Sequence, residues 1–93
     1  MHLDIYPDAA KFVEALDAKR YKQVLSKIIA LLKDPQPTDS QRLVGYSFLR
    51  VDVGEYRIVY AHDSEMVTAV LVGKRNDDEV YRDLRRAIKP RSA

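Results

Sequence analysis

The sequence contains no cysteine and no tryptophan, and it has only three glycines and four prolines in 93 residues. Without cysteine the chain can form neither a disulfide scaffold nor a thiolate zinc site, and the reducing cytoplasm is a permitted location. No apolar run approaches the ~20 residues that a membrane-spanning helix needs. The start of the chain, MHLDIYPDAA, lacks the basic beginning and apolar stretch of a signal peptide. We therefore expect a single cytoplasmic domain, residues 1–93, with no membrane attachment.

Positive and negative residues nearly balance over the whole chain, but basic residues are in excess near its C-terminal end. Sixteen Lys and Arg residues against fourteen Asp and Glu residues give a formal net charge of +2. From Lys74 to Arg91, however, seven basic residues stand against four acidic ones. A basic surplus of this kind suits a polyanion or an acidic protein partner.

Hydrophobic periodicity predicts an α+β fold with the element order βααβββα. A short strand at His2–Tyr6 precedes a helix that follows Pro7, and Asp8 is the predicted N-cap of that helix. A second helix over Ala18–Leu32 carries apolar residues at every third or fourth position. The segment 34–41, which contains two prolines, ends this helix and forms a loop.

Three more strands are predicted at Ser47–Val53, Glu55–His62 and Met66–Gly73. The short turns between them indicate an antiparallel meander. The tail Asp77–Lys89 has the charge pattern of a helix, with acidic residues in its first turn and basic residues in its last. We expect two N-terminal helices packed on a mainly antiparallel four-stranded sheet, followed by a C-terminal helix.

The strand GEYRIVYAH, residues 54–62, places Arg57 among Tyr, Ile and Val. If the preceding turn is Val53-Gly54, Arg57 faces Arg50 of the neighbouring strand, on the sheet face that the helices leave open. Two facing arginines repel each other unless another group neutralises them. On this register, removal of Arg57 would leave the stability of the fold unchanged or slightly higher.

Further groups gather near this hairpin in the predicted fold. The next strand ends in Lys74-Arg75, and Tyr81 follows on the predicted C-terminal helix. Guanidinium groups match the oxygens of a phosphate, and a tyrosine can stack on a base or transfer a proton. The cluster predicts a phosphate-binding site, although a single surface arginine is more often a solvated residue whose stem covers apolar surface.

Other kinds of site find little support in the sequence. His2 and His62 stand alone without metal-ligand spacing, and the acidic run 77–79 suits the first turn of a helix better than a magnesium site. There is no P-loop, no GxSxG motif and no nucleophilic cysteine. We therefore predict no metal and no cofactor.

Three runs of the sequence resemble the RelE branch of the RelE/ParE superfamily, whose members are toxins of bacterial type II toxin–antitoxin systems. The runs are RLVG (42–45), LRVDVGEYRIVY (49–60) and VLVGKRNDDEVY (70–81). The most specific feature is the strand G-x-Y-R-I-V-Y followed by V-G-K-R-x-x-x-x-V-Y. The fold of that family has the element order predicted above.

The resemblance implies a ribosome-dependent endoribonuclease that cuts messenger RNA in the ribosomal A site without a metal. In that reaction a 2′-hydroxyl attacks the adjacent phosphate and leaves a cyclic phosphate and a 5′-hydroxyl. Arg57 corresponds to a strand arginine that contacts the scissile phosphate, and Arg75 to an arginine that holds the phosphate or protonates the leaving oxygen. Tyr81 corresponds to a tyrosine that stacks on a base and is a candidate general base.

The same resemblance implies an RNA-binding surface and three partners. Arg50 stands where the family often has a lysine, and we add Lys74, Arg82 and Arg85 as candidate RNA-binding residues. Phe48 stands where well-studied members carry a second lysine, so the site has one cation fewer. The implied partners are a cognate antitoxin protein, the ribosome and messenger RNA.

Two other functions remain open from the sequence. One is a ParE-like toxin of the same fold that poisons DNA gyrase, although such relatives generally lack the full set of two arginines and a tyrosine. The other is a non-catalytic module whose basic face docks an acidic partner.

Overall fold

The computed structural model describes residues 1–43, 45–75 and 82. Within residues 1–43 and 45–75, two helices and five strands follow one another along the chain. They are β1 (His2–Ile5), α1 (Pro7–Glu14), α2 (Ala18–Lys33), β2 (Gln41–Arg42), β3 (Leu49–Val53), β4 (Tyr56–His62) and β5 (Met66–Lys74). The predicted C-terminal helix Asp77–Lys89 lies outside the described residues except for Arg82. Tyr81 and Arg85 are among the residues that are not described.

The two helices begin in different ways. In α1, Tyr6 occupies the N-cap position and Pro7 starts the helix, while Asp8 lies in the first turn. The prediction of Asp8 as N-cap was wrong because proline, which has no backbone N–H, fits the first helical position and lets the helix begin earlier. In α2, the Asp17 carboxylate caps the helix by accepting a hydrogen bond of 2.9 Å from the backbone N–H of Arg20.

The strands of the described residues form one sheet in the order β1-β5-β4-β3-β2. β1 runs parallel to β5, and the other neighbouring pairs are antiparallel. This confirms the predicted α+β fold and its antiparallel meander, but the predicted number of four strands was wrong. The additional strand, β2, pairs Gln41 with Arg50 and Arg42 with Leu49 at the edge of the sheet. Two exposed polar residues show no alternation, so periodicity could not reveal this strand.

The two helices cover one face of the sheet, where the main core lies. Its buried residues are Ala9, Val13, Val24, Ile28, Leu31, Val51, Tyr56, Ile58, Tyr60, Val67 and Val72. On the opposite face, a smaller cluster joins Leu43, Val59, Val70 and Leu71, with Tyr46 and Phe48 packed against it. Because side chains alternate along a strand, Arg50 and Arg57 share this second face with Val59. We call it the site face.

The buried Tyr60 ties the loop after α2 to the centre of the sheet. Its hydroxyl donates a hydrogen bond of 2.6 Å to the backbone carbonyl of Pro35. Burial raises the pKa of Tyr60 above its ordinary value, because the phenolate would lose its hydration. No helix within the described residues has the length and apolar character needed to cross a membrane.

We expect Tyr60→Phe to lower the free energy of unfolding by about 1 kcal/mol, because the Pro35 carbonyl would lose its partner in the protein. Denaturant unfolding of both proteins measures the difference. The matched control is Tyr21→Phe on the exposed side of α2, which should change the stability little. Equal stability of Tyr60→Phe and the unchanged chain would contradict this role of the hydrogen bond.

The raised pKa of Tyr60 also predicts how stability depends on pH. The folded state favours the neutral phenol, so this contribution is fully present below the unfolded value of about 10 and is lost as the pH rises above it. Burial raises the pKa of Tyr56 as well. The unfolding free energy should therefore fall above about pH 10, and Tyr60→Phe should reduce that fall. An unchanged pH profile in the variant would exclude Tyr60 as a cause.

A candidate phosphate-binding site on the open face of the sheet

The turn between β3 and β4 sets the geometry of the site. Val53 pairs with Tyr56, so the two loop residues are Gly54 and Glu55. Gly54 has a φ of +59°, in the left-handed region that favours glycine, and a two-residue hairpin of the II′ type takes glycine at its first loop position. The predicted turn, Val53-Gly54, was wrong because it would put valine where the hairpin uses glycine.

The corrected register changes the partner of Arg57. Arg57 lies directly opposite Asp52, while Arg50 lies opposite Val59. The Arg57 Nε donates to Asp52 Oδ1 over 2.9 Å, and Nη2 donates to Oδ2 over 3.4 Å. The side chains are 13% and 33% exposed, so this ion pair is partly shielded from water. The prediction that Arg57 faces Arg50 was wrong, and the expectation that its removal leaves the stability unharmed loses its basis.

Arg50 remains near Arg57 on the site face. It precedes Asp52 by two residues on β3, which makes it a diagonal neighbour of Arg57, within reach of a long side chain. Its Nη2 group donates a hydrogen bond to the side-chain oxygen of Gln41 on β2. The structure therefore brings two of the predicted arginines together and gives each a partner on a neighbouring strand.

The end of β5 places Lys74 and Arg75 differently. Arg75 is exposed, and its backbone N–H donates to the carbonyl of Glu55 over 3.0 Å, so Arg75 lies beside the hairpin turn. Gly73 pairs with Arg57, whereas Lys74 pairs with Tyr56. Since the Tyr56 side chain belongs to the main core, strand alternation puts Lys74 on the helix-covered face. The structure thus separates Lys74 from Arg57.

A second contact holds the turn against α2. The Glu55 carboxylate lies 3.6 Å from the Arg20 Nε, and Arg20 also pairs with Asp17 over 2.6 Å. Phe12 of α1 meets the Tyr56 ring edge to face, with 5.8 Å between the ring centroids. These contacts fix the position of the turn, and with it that of Arg57 and Arg75 relative to the helices.

Sequence reasoning missed Asp52 and Gln41 as partners of the two arginines. A signal was present for Asp52, since alternation puts it in the same row as Phe48 and Arg50 on β3. Within residues 1–43, 45–75 and 82, no three metal-ligating side chains stand close enough together to hold an ion. Arg82 is exposed. The chemistry available on the described site face is therefore that of guanidinium groups with acidic and amide partners, which suits the binding of a phosphate.

The matching family model and the similar solved structures carry two different names, ParE and RelE. A family model described as the ParE toxin of type II toxin–antitoxin systems, parDE, matches residues 3–79. None of the curated proteins compared with this chain is a significant match.

Similar solved structures are RelE toxins. The isolated E. coli RelE toxin is 26% identical with a TM-score of 0.69, and the match covers 94% of this chain and 97% of that one. The intact E. coli RelBE toxin–antitoxin complex is 26% identical with a TM-score of 0.67, over 78% of this chain and 94% of that one. The archaeal RelE–RelB complex from Pyrococcus horikoshii has 18% identity and a TM-score of 0.66 over 80% and 93% of the two chains, which shows the fold alone.

We expect Arg57→Ala to destabilise the fold by about 1–2 kcal/mol, because it removes a partly shielded ion pair and leaves Asp52 without that contact. A double-mutant cycle with Asp52→Ala, measured by denaturant unfolding at low salt, should give a coupling of about 1 kcal/mol. The control cycle uses Arg20 and Asp17, whose side chains are 48% and 57% exposed and which should couple more weakly. Coupling near zero between Arg57 and Asp52 would show that the pair contributes little in solution.

Proposed function

Because this chain belongs to the ParE toxin family of type II toxin–antitoxin systems, we propose that it is a RelE-like toxin that cuts messenger RNA in the ribosomal A site. The observation that carries the proposal is the arrangement of three arginines around one hairpin. Arg57 and Arg50 lie on the site face, and Arg75 lies beside the turn. The likeness to the E. coli RelE toxin at 26% identity supports the choice of RNA as substrate.

In the proposed reaction the 2′-hydroxyl of one nucleotide attacks the phosphate that follows it. The oxygen–phosphorus bond to the next nucleotide breaks, which leaves a cyclic phosphate and a 5′-hydroxyl. Arg57 contacts the phosphate oxygens and stabilises the charge that develops on them, because charge-assisted hydrogen bonds strengthen as that charge grows. Arg75 holds the phosphate from the turn or protonates the leaving oxygen, and Tyr81 stacks on a base or takes the proton of the 2′-hydroxyl.

In this proposal the Asp52 carboxylate and an RNA phosphate compete for the guanidinium group of Arg57. A phosphate that approaches the guanidinium group enters the field of a carboxylate whose Oδ1 is 2.9 Å from Nε. Arg50 and Arg75 offset this negative charge, since both are within the same hairpin region and both are cations. We propose that Arg50, Arg82 and Arg85 also bind the RNA backbone. Lys74 lies on the other face, so it would contact RNA or the ribosome only around the edge of the sheet.

The proposed dependence on the ribosome follows from the shape of the sheet. A pleated sheet face offers charged groups but does not by itself hold a flexible RNA strand in line for attack. Fixing two reacting groups in the correct geometry contributes several kcal/mol to lowering a barrier, and the ribosome can supply that positioning. The toxin would then supply the cations and the proton transfer.

We also propose that a cognate antitoxin binds this chain and silences it. One of the similar structures, at 26% identity, is the intact E. coli RelBE toxin–antitoxin complex. The arginines of the site face and the basic sequence from Lys74 to Arg91 suit a partner segment with acidic and apolar residues. Such binding should weaken as salt is added.

A second candidate function is the poisoning of DNA gyrase. The specific observation in its favour is that the matching family model is the one described as ParE. The two candidates share a fold, and a fold does not determine which reaction a site performs. Only an assay that exposes the protein to both targets separates them.

We predict that the purified protein, added to a translation extract, generates new message 5′ ends within ribosomal A sites. Arg57→Ala should reduce this cleavage roughly 100-fold or more, because it removes a contact to the charge that develops on the phosphate. Lys22→Ala, which removes an exposed cation of α2, is the matched control and should cleave normally. Circular dichroism of each variant confirms that it is folded at the assay temperature.

Message that stays intact while gyrase is trapped on DNA would assign the chain to the gyrase-poisoning group. Cleavage that persists in folded Arg57→Ala would remove Arg57 from the reaction. Cleavage of naked RNA at the same rate as ribosome-bound message would contradict the proposed role of the ribosome.

A further inference from the structure

The two arginines of the site face have partners of different charge. Arg50 donates through Nη2 to the side-chain oxygen of Gln41, which is a neutral amide, so this contact leaves the positive charge of Arg50 unbalanced. Arg57 instead donates through Nε and Nη2 to the two carboxylate oxygens of Asp52, over 2.9 and 3.4 Å. A neutral partner is thus compatible with an arginine on this face. The carboxylate at position 52 adds a negative charge beside Arg57.

Strand pairing keeps this carboxylate next to Arg57. Asp52 is directly opposite Arg57 on β3, and the residue opposite on β5 is Gly73, which has no side chain. The Arg57 and Asp52 side chains are 13% and 33% exposed, so water is partly excluded from the pair. Charges in such a place interact more strongly than they do in bulk water. A phosphate bound to Arg57 therefore lies within the field of Asp52.

The effect of Asp52 on a bound phosphate depends on the charge of that phosphate. A phosphate within an RNA strand is a diester with one negative charge, whereas a terminal phosphate, whose second pKa is about 6, carries close to two. Arg50 and Arg75, as cations, would favour the doubly charged form, and Asp52 opposes that preference. Across the roughly 7 Å spanned by a guanidinium group with an anion on each side, one additional charge changes binding about tenfold at an effective dielectric constant of about 30.

We propose that Asp52 is a specificity-determining residue that acts through Arg57 and lowers the affinity of the site for doubly charged phosphates relative to the singly charged phosphodiester of RNA. The inference rests on the proposed function, because it takes an RNA phosphate as the ligand of Arg57. Inorganic phosphate and free nucleotides then compete less with RNA for the site. Asp52 thus has a role in ligand selection beyond its contribution to the stability of the hairpin.

The test uses the full chain and two pairs of small anions, so that binding is measured without cleavage. At about pH 8 methyl phosphate carries close to two charges and dimethyl phosphate carries one. Sulfate and methyl sulfate repeat the comparison with charges that do not change with pH. Nuclear magnetic resonance of the Arg57 Nε–H group, assigned with Arg57→Lys, gives each dissociation constant. Asp52→Asn keeps the size of the side chain and one acceptor oxygen but removes the charge, so it should raise the affinity for each doubly charged anion about tenfold more than that for its singly charged partner.

Three further variants separate charge from structure. Asp52→Glu retains the charge and should keep the selectivity of the unchanged protein. Asp52→Thr is a second uncharged variant, with a β-branched side chain that suits a strand, and it replaces Asp52→Asn if that variant does not fold. Glu65→Gln is the matched control, because it removes one negative charge from an exposed residue in the turn between β4 and β5, beyond the end of β4 that is remote from Arg57. It should leave the selectivity unchanged.

Three results would overturn the role of Asp52. The first is a selectivity that stays the same in the uncharged variants, as expected if a bound phosphate displaces Asp52 and the ion pair serves the fold alone. The second is an equal change in Glu65→Gln, which would show an effect of net charge. The third is the absence of any Arg57 shift with all four anions in the uncharged variants.

The failure of the proposed function is distinguishable from these results. If the selectivity responds to Asp52 but the unchanged protein does not cut ribosome-bound message, the role of Asp52 stands and the endoribonuclease proposal falls. If message is cut but the selectivity does not respond to Asp52, the reverse holds.

Discussion

The register of the β3–β4 hairpin determines which residues of this protein form the core and which form the site. Gly54 occupies the first loop position with a φ of +59° and so sets Val53 opposite Tyr56. From that pair outward, Val51 and Ile58 meet on the helix-covered face, and Asp52 meets Arg57 on the other. A slip of one residue would exchange the two faces and bury charge in the core. The glycine therefore fixes both the packing and the ion pair.

The two faces of the sheet differ in the number of apolar side chains that they bury. Helices α1 and α2 pack apolar side chains against one face, which has the larger of the two buried clusters, so the stability of the described fold comes mainly from that side. The site face has a smaller apolar cluster around Val59, next to a row of charged residues. This division lets Arg50 and Arg57 lie on the inner strands β3 and β4 without entering the core. Arg57 then depends on Asp52, and Arg50 on Gln41, for partners across the strands.

The match to the ParE toxin model and the likeness to RelE structures agree on the fold and on membership of a toxin–antitoxin system. They differ in the activity that their names suggest, as is expected where one scaffold carries different sites. The activity must therefore be argued from side chains. The guanidinium groups of Arg50, Arg57 and Arg75 suit a phosphate ligand.

Much of the fold could be predicted from the sequence, because local patterns specify it. The apolar stripe of α2 predicted its bounds to within one residue, and the alternation in β3 and β4 correctly placed Arg50 and Arg57 on the face away from the helices. What depended on contacts between distant residues could not be predicted. The edge strand β2 exists only through its pairing with β3, and it has no periodicity of its own.

The site divides in the same way. Sequence by itself determined that arginines gather near one hairpin, since residue identity and strand order are local properties. Tertiary structure alone decided that Arg57 pairs with Asp52 and that Lys74 lies on the opposite face. The physical reason is that cross-strand pairing depends on the turn. A difference of one residue in turn position changes every partner across the hairpin while leaving the sequence of each strand unchanged.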